Sequence, residues 1–244
     1  MSKNTMPLHK EAWIEDLAIK IFNEIEALTK DKVGVSRESY GKGETISINY
    51  MIDLAKEFGF YIEKDAAANV YLSLEKSTKN NHILIGSHID SVPQGGNFDG
   101  LAGVIAGFLI LVYLKEKKIK TSLPIKLLVL RGEESAWYGK NCIGSKALFG
   151  LISQEDLNSI HRSNGKKLSK AMTESGVKLD QIIKCKTLIN KNEVEAFIEI
   201  HIEQGPVLVD KNWPIAVVTG IRGNYRHHKI RCKGTAGHSG TIPR

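Results

Sequence analysis

The alternation of strand, helix and strand in the middle of the chain constrains its fold most. Residues 82–88 (HILIGSH) form a short apolar run typical of a β-strand, residues 99–117 form a long apolar helix, and residues 124–130 (PIKLLVL) form a second buried strand. Two strands joined through a helix make a right-handed crossover and lie parallel in one sheet. We therefore predict an α/β fold with a mixed, mainly parallel sheet flanked by helices.

The remaining segments predict elements that extend this sheet and cover it. Apolar residues spaced three or four apart indicate helices, and alternation of apolar and polar residues indicates strands. A turn is expected at residues 212–214. The predicted helices cover residues 8–28, 44–58, 154–160 and 179–185, and the predicted strands cover residues 60–63, 69–74, 196–202, 215–218 and 225–232.

Charge, hydropathy and cysteine content exclude several classes of protein. The formal net charge is +7, but the basic residues are spread along the chain, so we expect no nucleic-acid partner. The longest apolar stretch, residues 101–114, is shorter than the roughly 18 residues that a membrane span requires. The amino terminus has no apolar leader, and the cysteines form no paired motif, so we expect a reducing, cytoplasmic location. The three cysteines are Cys142, Cys185 and Cys232.

Imidazole and carboxylate side chains follow the predicted strands at the points where the strands end. Ligands of parallel sheets bind at the carboxyl ends of the strands, so these side chains are expected to lie close together. A mixture of histidine and carboxylate suits a borderline metal such as zinc. The candidate residues are His88, Asp90, Asp99, Glu133, Glu134 and His201.

The spacing of these residues predicts a division of labour. His88 and Asp90 are two residues apart and point the same way on a strand, so the carboxylate can fix the imidazole tautomer. Glu133 and Glu134 are adjacent and project in different directions, so one can bind a metal while the other faces a water molecule. A metal lowers the pKa of such a water towards about 7, and a free carboxylate then takes the proton.

Asp99, the glutamate pair and His201 also have structural interpretations that the residues alone leave open. Asp99, beside glycines at the start of a helix, is a natural N-cap. Paired glutamates are common on solvated surfaces. His201 lies in an alternating strand and can be a salt-bridged core histidine.

The motifs GSHIDSVPQGGNFDGLAGVIAG, GEES and HIEQGPVL resemble the amidohydrolase branch of the M20 metallopeptidase-like enzymes. This branch includes N-carbamoyl-L-amino acid hydrolases, β-ureidopropionases and allantoate amidohydrolases. DAAANVY and GHSGTIPR are also similar to segments of that group, and the resemblance extends over residues 12–244. The most specific motif is HIEQGP, since plain M20 peptidases and deacetylases do not usually carry it.

The resemblance implies a zinc-exopeptidase-like catalytic domain with two ions, usually zinc and sometimes manganese. One ion is held by His88 and His201, the other by Glu134 and a distant histidine, and Asp99 bridges the two. The reaction implied is hydrolysis of a linear amide C–N bond outside a peptide, in an N-carbamoyl amino acid or ureido substrate.

The resemblance also implies roles for residues around the ions. Glu133 is the general base, Asp90 orients His88, and Gln204 lies beside the substrate. His238 matches a histidine that the second domain presents to the carbamoyl or ureido group, often across a homodimer interface.

Two departures from the family pattern qualify these expectations. The glutamate pair is followed by Ser-Ala-Trp-Tyr-Gly, where the family commonly has glycine, arginine and an aromatic residue. Family members also continue past the GHSGTIPR segment to the last metal ligand. We therefore expect residues 1–211 to form the N-terminal part of the catalytic domain and residues 212–244 the start of an α+β lid domain.

A chain of this extent is expected to expose apolar surface and an unpaired strand edge, to bind an ion weakly and to hydrolyse slowly or not at all. A complementing C-terminal polypeptide is one expected partner. Two alternative functions stay open at this point: an M20 dipeptidase or N-acyl-amino acid deacylase, and an inactive protein that serves only for binding or assembly.

Overall fold

The computed structural model describes residues 11–76, 81–184, 186–220, 223, 230, 231, 233 and 234. The chain divides into two compact units, Met1–Ile202 and Glu203–Arg244. The predicted domain boundary at residue 211 stays a prediction. In the part of the chain that the structure describes, no helix has both the length and the apolar character needed to cross a bilayer.

The first unit is built on a mixed sheet. Its five strands are β1 (Tyr61–Lys64), β2 (Val70–Ser73), β3 (His82–His88), β4 (Ile125–Leu130) and β5 (Val194–Ile198). They lie in the order β1-β2-β4-β3-β5. β3 pairs in parallel with β4 and β5, whereas the β1–β2 and β2–β4 pairs are antiparallel. The predicted α/β class and the parallel crossover between β3 and β4 are confirmed.

Three long helices share the main core with this sheet: α1 (Ala12–Thr29), α2 (Lys42–Glu57) and α3 (Leu101–Glu116). α1 buries Ile21 and Ile25, two residues of its predicted apolar face. α3 connects β3 to β4 and contacts both of these strands and α1, which is why apolar residues surround its whole circumference. All three helices were predicted, with bounds that differ by a few residues.

A second core is formed by short helices that follow β4. They are α4 (Ile143–Leu148), α5 (Gln154–Leu157), α6 (Leu168–Glu174) and α7 (Leu179–Ile182). They pack around Trp137, Leu168 and Met172, which are all buried. The sequence predicts α5 and α7 but not α4 and α6.

The predicted strand at residues 196–202 is partly wrong. β5 runs from Val194 to Ile198, and residues 199–202 have no regular secondary structure. Its register with β3 ends at the Ile85–Ile198 pair, so the chain beyond has no partner on that strand. His201 consequently lies on an irregular segment just past the strand end.

The second unit begins with a short helix, α8 (Val207–Asp210), that the sequence does not predict. The predicted strand at residues 215–218 is wrong, since these residues are exposed and irregular. A strand needs a neighbour to satisfy its backbone, and none pairs with residues 215–218 in the described part of the unit. The predicted strand at residues 225–232 lies mostly outside the described residues.

Candidate metal centre

The side chains predicted to meet at the carboxyl ends of the parallel strands do lie there. His88 is the last residue of β3 and is in register with Leu130, the last residue of β4. Glu133 and Glu134 follow Leu130 closely, and His201 follows the end of β5. One edge of the sheet therefore collects groups from three strands that are distant in sequence.

Two imidazoles converge on one carboxylate at this edge. Nε2 of His201 lies 3.1 Å from Oδ1 of Asp99, and Nε2 of His88 lies 3.7 Å from the same oxygen. The two ring centroids are 5.8 Å apart. The three side chains offer ligand atoms within 4.8 Å of one another, a spacing at which they could hold one metal ion.

The structural alternatives for two of these residues are now decided. The side chain of His201 is 33% exposed, so it is not a core histidine. Helix α3 has Gly100 at its N-cap position, and Asp99 lies one residue outside it. The Asp99 side chain, 17% exposed, faces the two imidazoles.

Backbone carbonyls set the tautomer of both histidines. Nδ1 of His88 lies 3.0 Å from the carbonyl oxygen of Asp90, and Nδ1 of His201 lies 3.0 Å from the carbonyl oxygen of Ile202. A carbonyl only accepts, so each Nδ1 carries a hydrogen and donates it. In the neutral rings the lone pairs are then on the two Nε2 atoms, which point at Asp99. The donor set fits a zinc ion.

Asp90 is the fully buried hub beneath the site. Its carboxylate accepts hydrogen bonds from the Ser39 hydroxyl at 2.6 Å and from the backbone amides of Glu133 and Glu134, each at 3.0 Å. Nδ1 of His88 lies 3.3 Å from Oδ1. Burial alone raises the pKa of Asp90, but these donors, with His88 the strongest, hold its pKa below the usual value. Asp90 thus ties β3 to the glutamate pair.

Glu133, Glu134 and His88 form a second group that can hold a metal, also with ligand atoms within 4.8 Å. Burial and the nearby Asp90 charge raise the pKa of Glu134 to about 7, against the opposing charge of His88. Burial lowers the pKa of His88, but the Asp90 hydrogen bond and the surrounding carboxylates raise it to about 9. His88 is common to both groups, so the two candidate positions adjoin.

Gly100 allows this packing. Its φ of 65° lies in the left-handed region, and a Cβ placed on it would come within 2.6 Å of three atoms of the His88 ring. No other residue type leaves the imidazole in this position.

Several supporting residues were not predicted from the sequence. Cys142, whose own backbone amide donates to the Glu133 carbonyl at 2.9 Å, places Sγ 3.3 Å from Oε1 of Glu133. Glu44 is fully buried and accepts from the Gly132 amide and from Nε of Arg131, both at 2.7 Å. These residues come from α2 and from the start of α4, and no strand-end pattern marks them.

The two predicted substrate-binding residues are Gln204 and His238. Gln204 belongs to the second unit and has a left-handed backbone conformation with φ 53°. His238 lies outside the described residues. Their roles stay predictions.

A model of a known protein family matches residues 84–238, which include every candidate ligand named above. The chain belongs to peptidase family M20/M25/M40. The predicted resemblance to M20 enzymes is thereby confirmed.

Relatives of this M20/M25/M40 chain include named amidohydrolases. An uncharacterised hydrolase of Haemophilus influenzae is 36% identical, over 84% of this chain and 50% of its own length. An N-carbamoyl-L-amino-acid amidohydrolase of a Pseudomonas species is 32% identical, over 88% of this chain and 51% of its own length. The chain spans about half the length of these relatives.

A hydantoinase/carbamoylase family amidase from Burkholderia ambifaria has a similar structure. It aligns with a TM-score of 0.70 over 81% of this chain and 47% of that chain. At 24% identity the likeness shows a shared fold.

Proposed function

We propose that the chain carries most of the active site of a metal-dependent amidohydrolase that cleaves a linear, non-peptide amide. The observation that carries the proposal is the convergence of His88, Asp99 and His201 on one point, with Glu133 and Glu134 beside them. The substrate we propose is an N-carbamoyl amino acid or a ureido compound. The names of the amidohydrolase relatives support this class.

The proposed ion is zinc, with manganese as the alternative. His88 and His201 would hold it through Nε2, Asp99 would bridge to a second ion, and Glu134 would be a ligand of that second ion. The chemistry that zinc supplies when bound is Lewis acidity, which lowers the pKa of a water molecule towards about 7 and polarises an amide carbonyl.

Glu133 is the proposed general base. The thiol of Cys142 contacts its Oε1, so Oε2 is the oxygen that we assign to proton transfer. A carboxylate in this position takes the proton of the attacking water and delivers it to the leaving nitrogen. Asp90 holds the imidazole of His88 on one side and the backbone amide of Glu133 on the other, which maintains the distance between base and ligands.

The remaining assignments rest on the resemblance. We propose that Gln204 contacts the substrate and that His238 presents its imidazole to the carbamoyl or ureido group across a homodimer interface. Residues 1–211 would then belong to the catalytic domain and residues 212–244 to the lid. The cytoplasm is the proposed compartment.

Zinc binding by variants of the adjacent glutamates tests the proposal. We expect Glu134→Gln to weaken zinc binding at least tenfold and Glu133→Gln to leave it unchanged, because only the former loses a ligand. His201→Ala should weaken it at least as much. The affinity is measured by competition with a chromophoric chelator, so the readout does not depend on turnover. Equal affinities in all variants would contradict the proposal.

Turnover then separates the functional alternatives. The panel contains N-carbamoyl-L-amino acids, N-carbamoyl-β-alanine, allantoate, a dipeptide and an N-acetyl amino acid. Hydrolysis of the first three, abolished by Glu133→Gln, supports the amidohydrolase. Hydrolysis of only the last two favours the dipeptidase or deacylase. If the chain binds no zinc and Glu133→Gln changes neither zinc binding nor turnover, the chain is the inactive binding module.

A further inference from the structure

A cavity of about 250 Å³ with charged residues in its lining lies in the first unit, and none of the candidate metal ligands lines it. Its walls come from α2, the turn between β1 and β2, the residue after β4 and the turn after α6. Three of its lining residues are cationic: Lys64, Arg131 and Lys178.

Asp65, the one carboxylate in the lining, accepts hydrogen bonds from neighbouring backbone amides. Oδ1 of Asp65 accepts hydrogen bonds from the amides of Ala67 and Asn69, both at 2.9 Å, and Oδ2 accepts from the Asn69 side chain at 2.8 Å. Asp65 therefore serves the turn before β2. Lys64 and Lys178 are exposed residues of the lining. The one carboxylate of the lining, Asp65, is engaged by the hydrogen bonds of the turn.

Arg131 gives the cavity a rigid cationic floor. It is only 3% exposed, its Nε donates to Glu44 at 2.7 Å, and its guanidinium stacks on Tyr40 with 4.9 Å between Cζ and the ring centroid. Its Nη2 donates to the Thr45 hydroxyl at 2.7 Å. Since that hydroxyl oxygen accepts, its hydrogen can be donated into the cavity. Five N–H groups on one guanidinium also exceed the bonds it makes here.

We propose that this cavity binds a phosphate group, either free phosphate or the phosphate of a small organic molecule. Two exposed ammonium groups, a buried guanidinium and a hydroxyl donor match the charge and the several acceptor oxygens of phosphate. Ile48 and Ala68 in the same lining leave an apolar wall for an organic substituent. The site is separate from the candidate metal centre and does not depend on the proposed hydrolysis.

Calorimetric titration of the chelator-treated, dialysed protein tests the proposal, with sodium chloride holding the ionic strength constant. The probes are inorganic phosphate and glycerol 3-phosphate, with glycerol as the uncharged control. We expect Lys64→Gln/Lys178→Gln to weaken phosphate binding at least tenfold. The matched control, Lys32→Gln/Lys120→Gln, removes the same charge from exposed lysines that do not line the cavity and should bind as the parent protein does.

A further variant separates this cavity from the metal centre. His201→Ala should bind phosphate normally if the ligand occupies the cavity, and should lose binding if phosphate sits among the metal ligands instead. Tighter binding of glycerol 3-phosphate than of inorganic phosphate would identify an organic phosphate as the ligand, and the reverse would identify free phosphate. Absence of phosphate binding at about 10 mM phosphate overturns the proposal. Equal loss of phosphate binding in both double variants overturns it as well.

Discussion

At the scale of single residues, the arrangement of the candidate site depends on one buried carboxylate. Asp90 receives hydrogen bonds from the amides of Glu133 and Glu134 and from Ser39, and it adjoins the imidazole of His88. A carboxylate accepts in every direction, so it satisfies all of these donors together. An amide of the same shape cannot, since one of its two polar atoms is itself a donor.

Replacement of this residue measures its contribution. We expect Asp90→Asn to lower the free energy of unfolding by about 3 kcal/mol, because a donor amide faces a backbone N–H and a buried charged network is broken. Ser39→Ala, which removes one of the donors, should cost about 1 kcal/mol. Urea unfolding monitored by circular dichroism gives both values. A loss in Asp90→Asn no larger than in Ser39→Ala would show that Asp90 is not the hub.

The pKa of His88 predicts how the stability of the metal-free chain depends on pH. The folded pKa is about 9, above the ordinary value of 6.5. The contribution of protonated His88 to the free energy of unfolding is therefore complete below about pH 6.5. As the pH rises towards 9, the free energy of unfolding falls by on the order of 2 kcal/mol. The pKa of Glu134 is also raised, to about 7, so deprotonation of Glu134 likewise makes the free energy of unfolding fall as the pH rises, but at lower pH.

Urea midpoints recorded at pH 6, 7, 8 and 9 in the metal-free protein test this dependence. They should fall steadily in the parent chain, and the fall between pH 7 and 9 should be much smaller in His88→Gln. A midpoint that rises over this range, or an equal slope in the variant, is incompatible with a raised His88 pKa.

At the scale of the elements, close approach of a helix to the segment after β5 brings His201 to the site. A Cβ on Gly103 of α3 would lie 2.3 Å from the carbonyl oxygen of Ile200 and 2.7 Å from Cβ of Ser87. The Ser87 hydroxyl also donates to the Glu199 carboxylate. The position of His201 thus follows from contacts of its neighbours and not from strand pairing.

Gly103→Ala is expected to separate α3 from residues 199–202 and so to weaken zinc binding at least tenfold. Gly107→Ala is the matched control on the same helix, because its Cβ meets the flexible side-chain ends of Leu127 and Ile85. Both changes favour the helix by about 1 kcal/mol before steric costs. Chelator competition should show normal zinc affinity in the control; normal affinity in both would mean that the close approach does not position His201.

At the scale of the whole molecule, β5 ends the strand order and leaves an edge. Phe197 and Ile198 are 45% and 53% exposed. An apolar cavity of about 320 Å³ adjoins this edge, with Leu84, Leu128 and Phe197 in its lining. The predicted exposed apolar surface and open strand edge are both present among the described residues, and such edges promote association with another chain.

We expect the isolated chain to self-associate through this edge and Phe197→Lys to shift it towards the monomer. Ile19→Lys, which places the same charge at a residue of α1 that is 50% exposed, should have little effect. Sedimentation velocity over a range of protein concentrations compares the three proteins. Identical distributions for both variants would place the association elsewhere.

The local pattern of the sequence determined the α/β class, the crossover through α3 and the identity of the residues at the strand ends. Strand and helix periods, and the rule that ligands gather at carboxyl ends, need only neighbours in sequence. His88 and Glu134 were found in this way. The short helices α4 and α6 and the end of β5 were not, because contacts from other segments set their limits.

Only the tertiary structure decided which atoms meet. The Ser39–Asp90 hydrogen bond, the thiol of Cys142 beside Glu133 and the buried Glu44–Arg131 pair join residues that are 9 to 87 positions apart. Such contacts depend on how helices pack against the sheet, and packing is a property of complementary surfaces that no local period encodes. The sequence therefore determines which chemical groups are present. The distances between these groups are determined only when the helices pack against the sheet.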